Sequence, residues 1–82
     1  MKIGEALLKE LSKQYEPSTL VKHHFKGYDI AFKTDEEGNP VVLFIGTANP
    51  QGIIKGNRFA RRLVKDATGK AIKDHWDYKG KV

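Results

Sequence analysis

Four side chains near the end of the chain have the types that bind anions: Arg58, Arg62, Lys73 and His75. They flank the turn sequence Asp66-Ala67-Thr68-Gly69, so extended segments on either side would form a hairpin. With a four-residue loop, Lys65 faces Lys70, Leu63 meets Ile72, Arg61 meets Asp74 and Phe59 meets Trp76. The opposite, outward face then gathers Arg58, Arg62, Lys73 and His75, with Asp77 across from Arg58. Arg62 would sit directly opposite Lys73. Like charges opposed across a strand pair destabilise it, so a pair kept in place suits an anion lying between them. Phosphate fits best, because a guanidinium donates to it bidentately. Lys55, Lys70 and Lys79 could extend the stripe at the strand ends. The competing reading is a solvated face whose long side chains splay apart.

Other reactive residues assemble less well. His23 and His24 are adjacent, and neighbours on a strand point to opposite faces, so the two cannot share one metal ion. A site made of one of them with His75 and Asp77 lacks metal-ligand spacing. His75 and Asp77 share a face, but no Ser or Thr stands in a nucleophile motif and no glycine loop is built to cradle phosphate. A ligand site around His75, Asp77 and Trp76 is the one enzymatic reading, and an 82-residue chain with one helix offers little volume for it. The expectation is no enzyme, no metal and no cofactor. Trp76 shares parity with Ile72, which puts it in the core. Tyr78 is nearer the strand end, where an exposed ring would be a stacking platform. The acidic run Asp35-Glu36-Glu37 lacks the twelve-residue calcium-loop pattern.

The charge is unevenly distributed. The chain carries 15 Lys and Arg against 10 Asp and Glu, a net +5. Residues 1–50 hold six basic and seven acidic side chains, whereas residues 51–82 hold nine and three. A basic half attracts phosphate backbones or acidic proteins. The ribonucleoprotein signature, the GXXG clamp and zinc-finger spacing are all missing. There is no cysteine, which excludes a disulfide framework and a thiolate zinc site. The longest apolar run, Val41 to Ile45, is too short to span a membrane, and residues 1–10 do not read as a signal peptide. The expected setting is cytoplasmic, away from the membrane.

Positioning these groups requires a fold of class α+β. Ile3, Leu7, Leu11 and Tyr15 recur every four residues and predict a helix over about 3–15, ended by Pro17. From Val21 the apolar period changes to two. Asp35–Gly38, Asn49–Gly52 and Asp66–Gly69 share one form, Asp or Asn first and Gly fourth, the preference of a type I turn. The pattern predicts strands over about 21–34, 40–47, 53–65 and 70–78. They would form a four-stranded antiparallel meander with the helix on one face. In the first hairpin, Phe32 would meet Val41, Ile30 would meet Leu43 and Tyr28 would meet Ile45. Val41 to Ile45 is apolar on both faces, so something must shield Val42 and Phe44: residues 17–25, the C-terminal tail or a second copy.

Two functions follow as expectations. One is a non-catalytic binding module whose basic sheet surface docks an acidic partner, nucleic acid or protein. The other is a structural protein that forms a homodimer through an apolar sheet face or an edge strand.

Overall fold

The computed structural model describes residues 3–81. It contains one helix, α1 (Glu5–Leu11), followed by five strands: β1 (Leu20–Phe25), β2 (Tyr28–Thr34), β3 (Pro40–Ala48), β4 (Ile54–Lys65) and β5 (Ala71–Lys81). The strands form one open antiparallel sheet in the order β1-β2-β3-β4-β5. The class is α+β, dominated by the sheet.

There are five strands rather than the four expected, because the segment over 21–34 folds back on itself. Lys26 and Gly27 both have positive φ, 46° and 84°. Two left-handed residues in a row match the two-residue hairpin turn whose twist suits paired strands. Phe25 therefore lies opposite Tyr28, and Val21 opposite Phe32. Lysine in place of the usual Asn or Asp hides this turn in the sequence. Residues 20–25 thus form an edge strand of the sheet rather than a layer over Val42 and Phe44.

The helix is shorter than its periodicity suggests. After Leu11 the Ser12 hydroxyl donates to the Leu8 carbonyl (2.8 Å). The Tyr15 amide donates to Gly38 O (2.8 Å), and its hydroxyl turns back to Glu10 O (2.8 Å). Those bonds take Tyr15 out of the helix while keeping its ring on the core. The apolar stripe is the one its periodicity predicts. Leu7 and Leu11 are buried against Ile30, Phe32, Leu43, Ile45 and Phe59, with Ile3, Tyr15, Val21, Phe25 and Trp76 packed around them.

The three Asp/Asn-x-x-Gly turns share one geometry. In each, the first side chain accepts from the amides two and four residues on: Asp35 from Glu37 and Asn39, Asn49 from Gln51 and Ile53, Asp66 from Thr68 and Lys70, all at 2.9–3.0 Å. The glycines at 38, 52 and 69 have φ of 86°, 81° and 87°. Each loop therefore closes as a three-residue turn with the glycine in a left-handed bulge. The Asp35, Asn49 and Asp66 amides complete it by donating to Asn39, Ile53 and Lys70 carbonyls (2.9 Å).

The glycine bulge moves the register by one residue. The β2–β3 and β4–β5 hairpins then add a second irregularity, beside Thr34 and beside Lys65. Thr34 faces Pro40 while Lys33 faces Val42, leaving Val41 as the extra residue. Lys65 faces Ala71 while Val64 faces Lys73, leaving Ile72 extra and 64% exposed. Two slips of one residue sum to two, so every pairing expected from a four-residue loop is displaced. Phe32 meets Leu43, Ile30 meets Ile45, Phe59 meets Tyr78 and Leu63 meets Asp74. Parity survives, because a slip of two leaves each side chain on its original face.

At the β3–β4 pairing, Gly46 lies opposite Gly56. A Cβ on Gly46 would run into the Lys55 carbonyl oxygen, and one on Gly56 into that of Ile45. Both clashes are with backbone, which has nowhere to move without breaking the ladder. Gly46→Ala is therefore expected to destabilise the protein by about 1–3 kcal/mol, the range for forced overpacking, in urea denaturation.

Candidate functional site

Alternation along the strands gives the sheet two unlike faces. One is covered by α1. The other carries Leu20, Lys22 and His24 from β1, Asp29, Ala31 and Lys33 from β2, and Val42 and Phe44 from β3. From β4 come Arg58, Ala60, Arg62 and Val64, and from β5 Lys73, His75 and Asp77. Arg58, Arg62, Lys73 and His75 are thus brought to one face, where Arg58, Lys73 and His75 are exposed and the Arg62 side chain is 60% exposed.

Their pairing differs from the expectation. Arg62 lies opposite His75, Lys73 opposite Val64, and Asp77 opposite Ala60. The opposed Arg62–Lys73 pair does not form, because Ile72 bulges out and carries Lys73 past Arg62. Asp77 reaches instead to His75 Nε2 (2.8 Å) and, more loosely, to Arg62 Nη2 (4.0 Å). Arg58 lies opposite the β5 bulge at Lys79–Gly80, where Gly80 has φ of 90°.

The two faces hold their cations in different ways at several positions. On the helix side, Arg61, Lys65 and Lys13 are paired within the fold, while Lys9, Lys55 and Lys81 are exposed and enter no ion pair among the described residues. Arg61 donates Nε and Nη2 to Asp74 (2.6 and 2.7 Å), and Nη1 to the carbonyls of Leu11 (3.2 Å) and Pro40 (3.1 Å). Its side chain is 7% exposed and lies over the Trp76 ring at 5.7 Å. Leu11 ends α1, where a cation complements the helix dipole. Lys65 is likewise paired with Glu37 (2.7 Å) and Lys13 with Glu10 (3.2 Å). On the open face, Lys22, Lys33, Arg58 and Lys73 enter no ion pair among the described residues. Lys22 donates only to the Gly52 carbonyl (3.2 Å).

The open face also has an apolar centre. One cross-strand row runs Lys22–Ala31–Phe44–Arg58, and the next runs Leu20–Lys33–Val42–Ala60–Asp77. Between β1, Phe44 and the β3–β4 turn lies a groove of about 190 Å³, whose walls include Leu20, Ile53 and Ile54. Lys22 and Lys33 are site residues that the sequence pattern alone did not bring forward, and the pattern marks Phe44 only as a side chain needing cover. Their signal is present in part, since Lys33 and Phe44 share parity across the β2–β3 hairpin. Lys22 joins the sheet only through the Lys26–Gly27 turn, which composition hides.

The histidines separate as expected. The His23 ring lies on the helix side against Phe32 (5.7 Å) and Tyr15 (6.0 Å). His24 is on the open side, with Nδ1 3.1 Å from Asp29 Oδ1. Asp29 also accepts from the Ala48 amide (2.8 Å), and these bonds, the amide's foremost, hold its carboxyl below the usual value. His24 and His75 stand on opposite edges of the sheet. No three His, Cys, Asp or Glu among the described residues gather as a metal site, and no helix is long and apolar enough to cross a membrane. Trp76 packs on the core, while Tyr78 is half exposed, its ring 5.2 Å from Phe59 and its hydroxyl donating to Asn57 (2.8 Å).

The chain matches no protein-family model, no curated protein and no solved structure.

Hydrogen bonds from Arg61, outweighing partial burial and reinforced by its charge, hold the Asp74 carboxyl below its ordinary 3.8. The folded protein therefore takes up this proton less readily than the unfolded chain. The pair's contribution is fully present above the unfolded value, about pH 4, and is lost as the pH falls through the folded one. Asp74→Asn is expected to make the acid loss of stability shallower in urea titrations below about pH 4. Arg58→Ala, which breaks no internal ion pair, is expected to change stability by no more than about 0.5 kcal/mol at neutral pH.

Proposed function

We propose that this protein is a non-catalytic binding module whose open sheet face docks an acidic macromolecule, nucleic acid or protein. The observation that carries the proposal is a set of four unpaired cations gathered on one sheet face. Arg61, Lys65 and Lys13 are neutralised within the fold, while Lys22, Lys33, Arg58 and Lys73 are left to solvent on one face. Self-repulsion among such groups is relieved by an anionic partner, and their field steers it in. Val42 and Phe44, half-buried at the centre, supply apolar area that such a partner would cover. A cytoplasmic setting belongs to the same proposal.

The rival reading is a homodimer through the open face or an edge strand. Stacking two open faces would set cations against cations, which costs affinity. The free edge of β5 is eleven residues long but carries Lys73, Lys79 and Lys81, the kind of charge that blunts edge pairing. Both features favour a heterologous, acidic partner.

A salt titration of binding to oligothymidylate and to polyglutamate tests the proposal. At least one polymer is expected to bind at low salt, with affinity falling linearly on a log–log plot. The double variant Arg58→Glu, Lys73→Glu is expected to weaken that binding more than about tenfold. It should also flatten the salt slope by roughly one unit for each phosphate it no longer neutralises. Absence of binding to both polymers at low salt would refute the proposal.

A further inference from the structure

We infer that the acidic partner is single-stranded nucleic acid, seated with a base on Phe44 and phosphates on Lys22, Lys33 and Arg58. This inference rests on the docking reading above and makes it specific.

Lys22, Ala31, Phe44 and Arg58 follow one another across four adjacent strands. An aromatic ring thus lies between two cations roughly 14 Å apart, three strand spacings. Lys33, beside Val42 in the next row, adds a third cation near the ring. An acidic protein surface needs cations but offers carboxylates, which gain nothing from an aromatic face between them. A single strand presents flat bases alternating with phosphates, and proteins that hold it pair stacking rings with basic grooves.

The groove beside Phe44 suits the same ligand. At about 190 Å³ it is smaller than the roughly 300–1,000 Å³ of small-molecule sites. It is open and walled in part by Leu20 and Ile53, 47% and 57% exposed. Such a notch takes one planar group projecting from a polymer. The Lys22 ammonium is held at its mouth by the Gly52 carbonyl (3.2 Å), with N–H groups to spare for a phosphate oxygen.

A duplex cannot take this face into its major groove. Five strands span about 19 Å, wider than the roughly 12 Å major groove, which admits a helix or a two-stranded ribbon. Phe44 sits on the middle strand, where stacked base pairs offer it no exposed base. A splayed single strand does.

Fluorescence anisotropy with labelled oligothymidylate, the matching duplex and polyglutamate is the test, on the full chain at one salt concentration, with the oligothymidylate arm repeated across a salt series. Wild type is expected to bind oligothymidylate tightest. Phe44→Leu is expected to weaken that binding about tenfold, the order of one stacked base, while leaving its salt slope unchanged. Phe44→Trp, which keeps an aromatic face, is expected to retain it and guards against misreading a folding defect in the leucine variant. Two results would overturn the inference while leaving the docking module standing: duplex or polyglutamate bound as tightly as the single strand, or oligothymidylate binding indifferent to Phe44→Leu. Loss of binding in a folded Phe44→Trp variant counts against it in the same way. Failure of every polymer to bind would remove both readings.

Discussion

A seven-residue helix cannot cover a five-stranded sheet twice. α1 is about 10 Å long, while the sheet is roughly 19 Å wide. Its apolar stripe closes over Ile30, Phe32, Leu43, Ile45 and Phe59, and the chain has no other helix among the described residues with which to close the reverse side. The central strand β3 is apolar on both sides, so the uncovered face keeps Val42 and Phe44 half-buried rather than fully solvated. The exposed side of the sheet is thus a consequence of how little helix the sequence encodes. Lys22, Lys33 and Phe44 line one groove on that side.

The contrast between Arg61 and Arg62 follows from the same two-sidedness. Arg61 is aimed at the helix side, where burial forces it to satisfy its donors within the fold. It does so with Asp74 and with the carbonyls of Leu11 and Pro40, joining the end of α1 to β3, β4 and β5. Its sequence neighbour Arg62 points the opposite way and meets only a loose approach from Asp77. Adjacent arginines therefore have separate roles, one holding the helix to the sheet and the other facing solvent. Cations on the open face meet no comparable requirement, because water solvates them in the absence of a partner.

Much of this is legible in the sequence, for reasons that also explain what is not. Apolar periodicity marks the helix face, and three Asp/Asn-x-x-Gly turns mark the strand boundaries on either side of each. The pairings themselves are displaced, because the turn residues report loop chemistry while the second bulges at Val41 and Ile72 lie beyond the turns. Face assignment is insulated from this error, since two one-residue slips restore the alternation. The gathering of Arg58, Arg62, Lys73 and His75 on one face therefore follows from parity, whereas the Arg62–Lys73 juxtaposition depended on a register the bulges remove. The β1–β2 turn is hidden because a lysine occupies a left-handed position more often filled by Asn or Asp, and Lys22 goes unseen with it. The role of Phe44 emerges only once the structure places no other element over it.

The most direct test is side-chain methyl and aromatic NMR during titration with oligothymidylate. Leu20, Val42 and Val64 report on the open face, and Leu7, Leu8 and Leu11 report on the helix. The account predicts saturable shifts of the first group, together with the Phe44 ring, while the second group stays in place. Shifts confined to the helix leucines, or spread evenly over both groups, would contradict it.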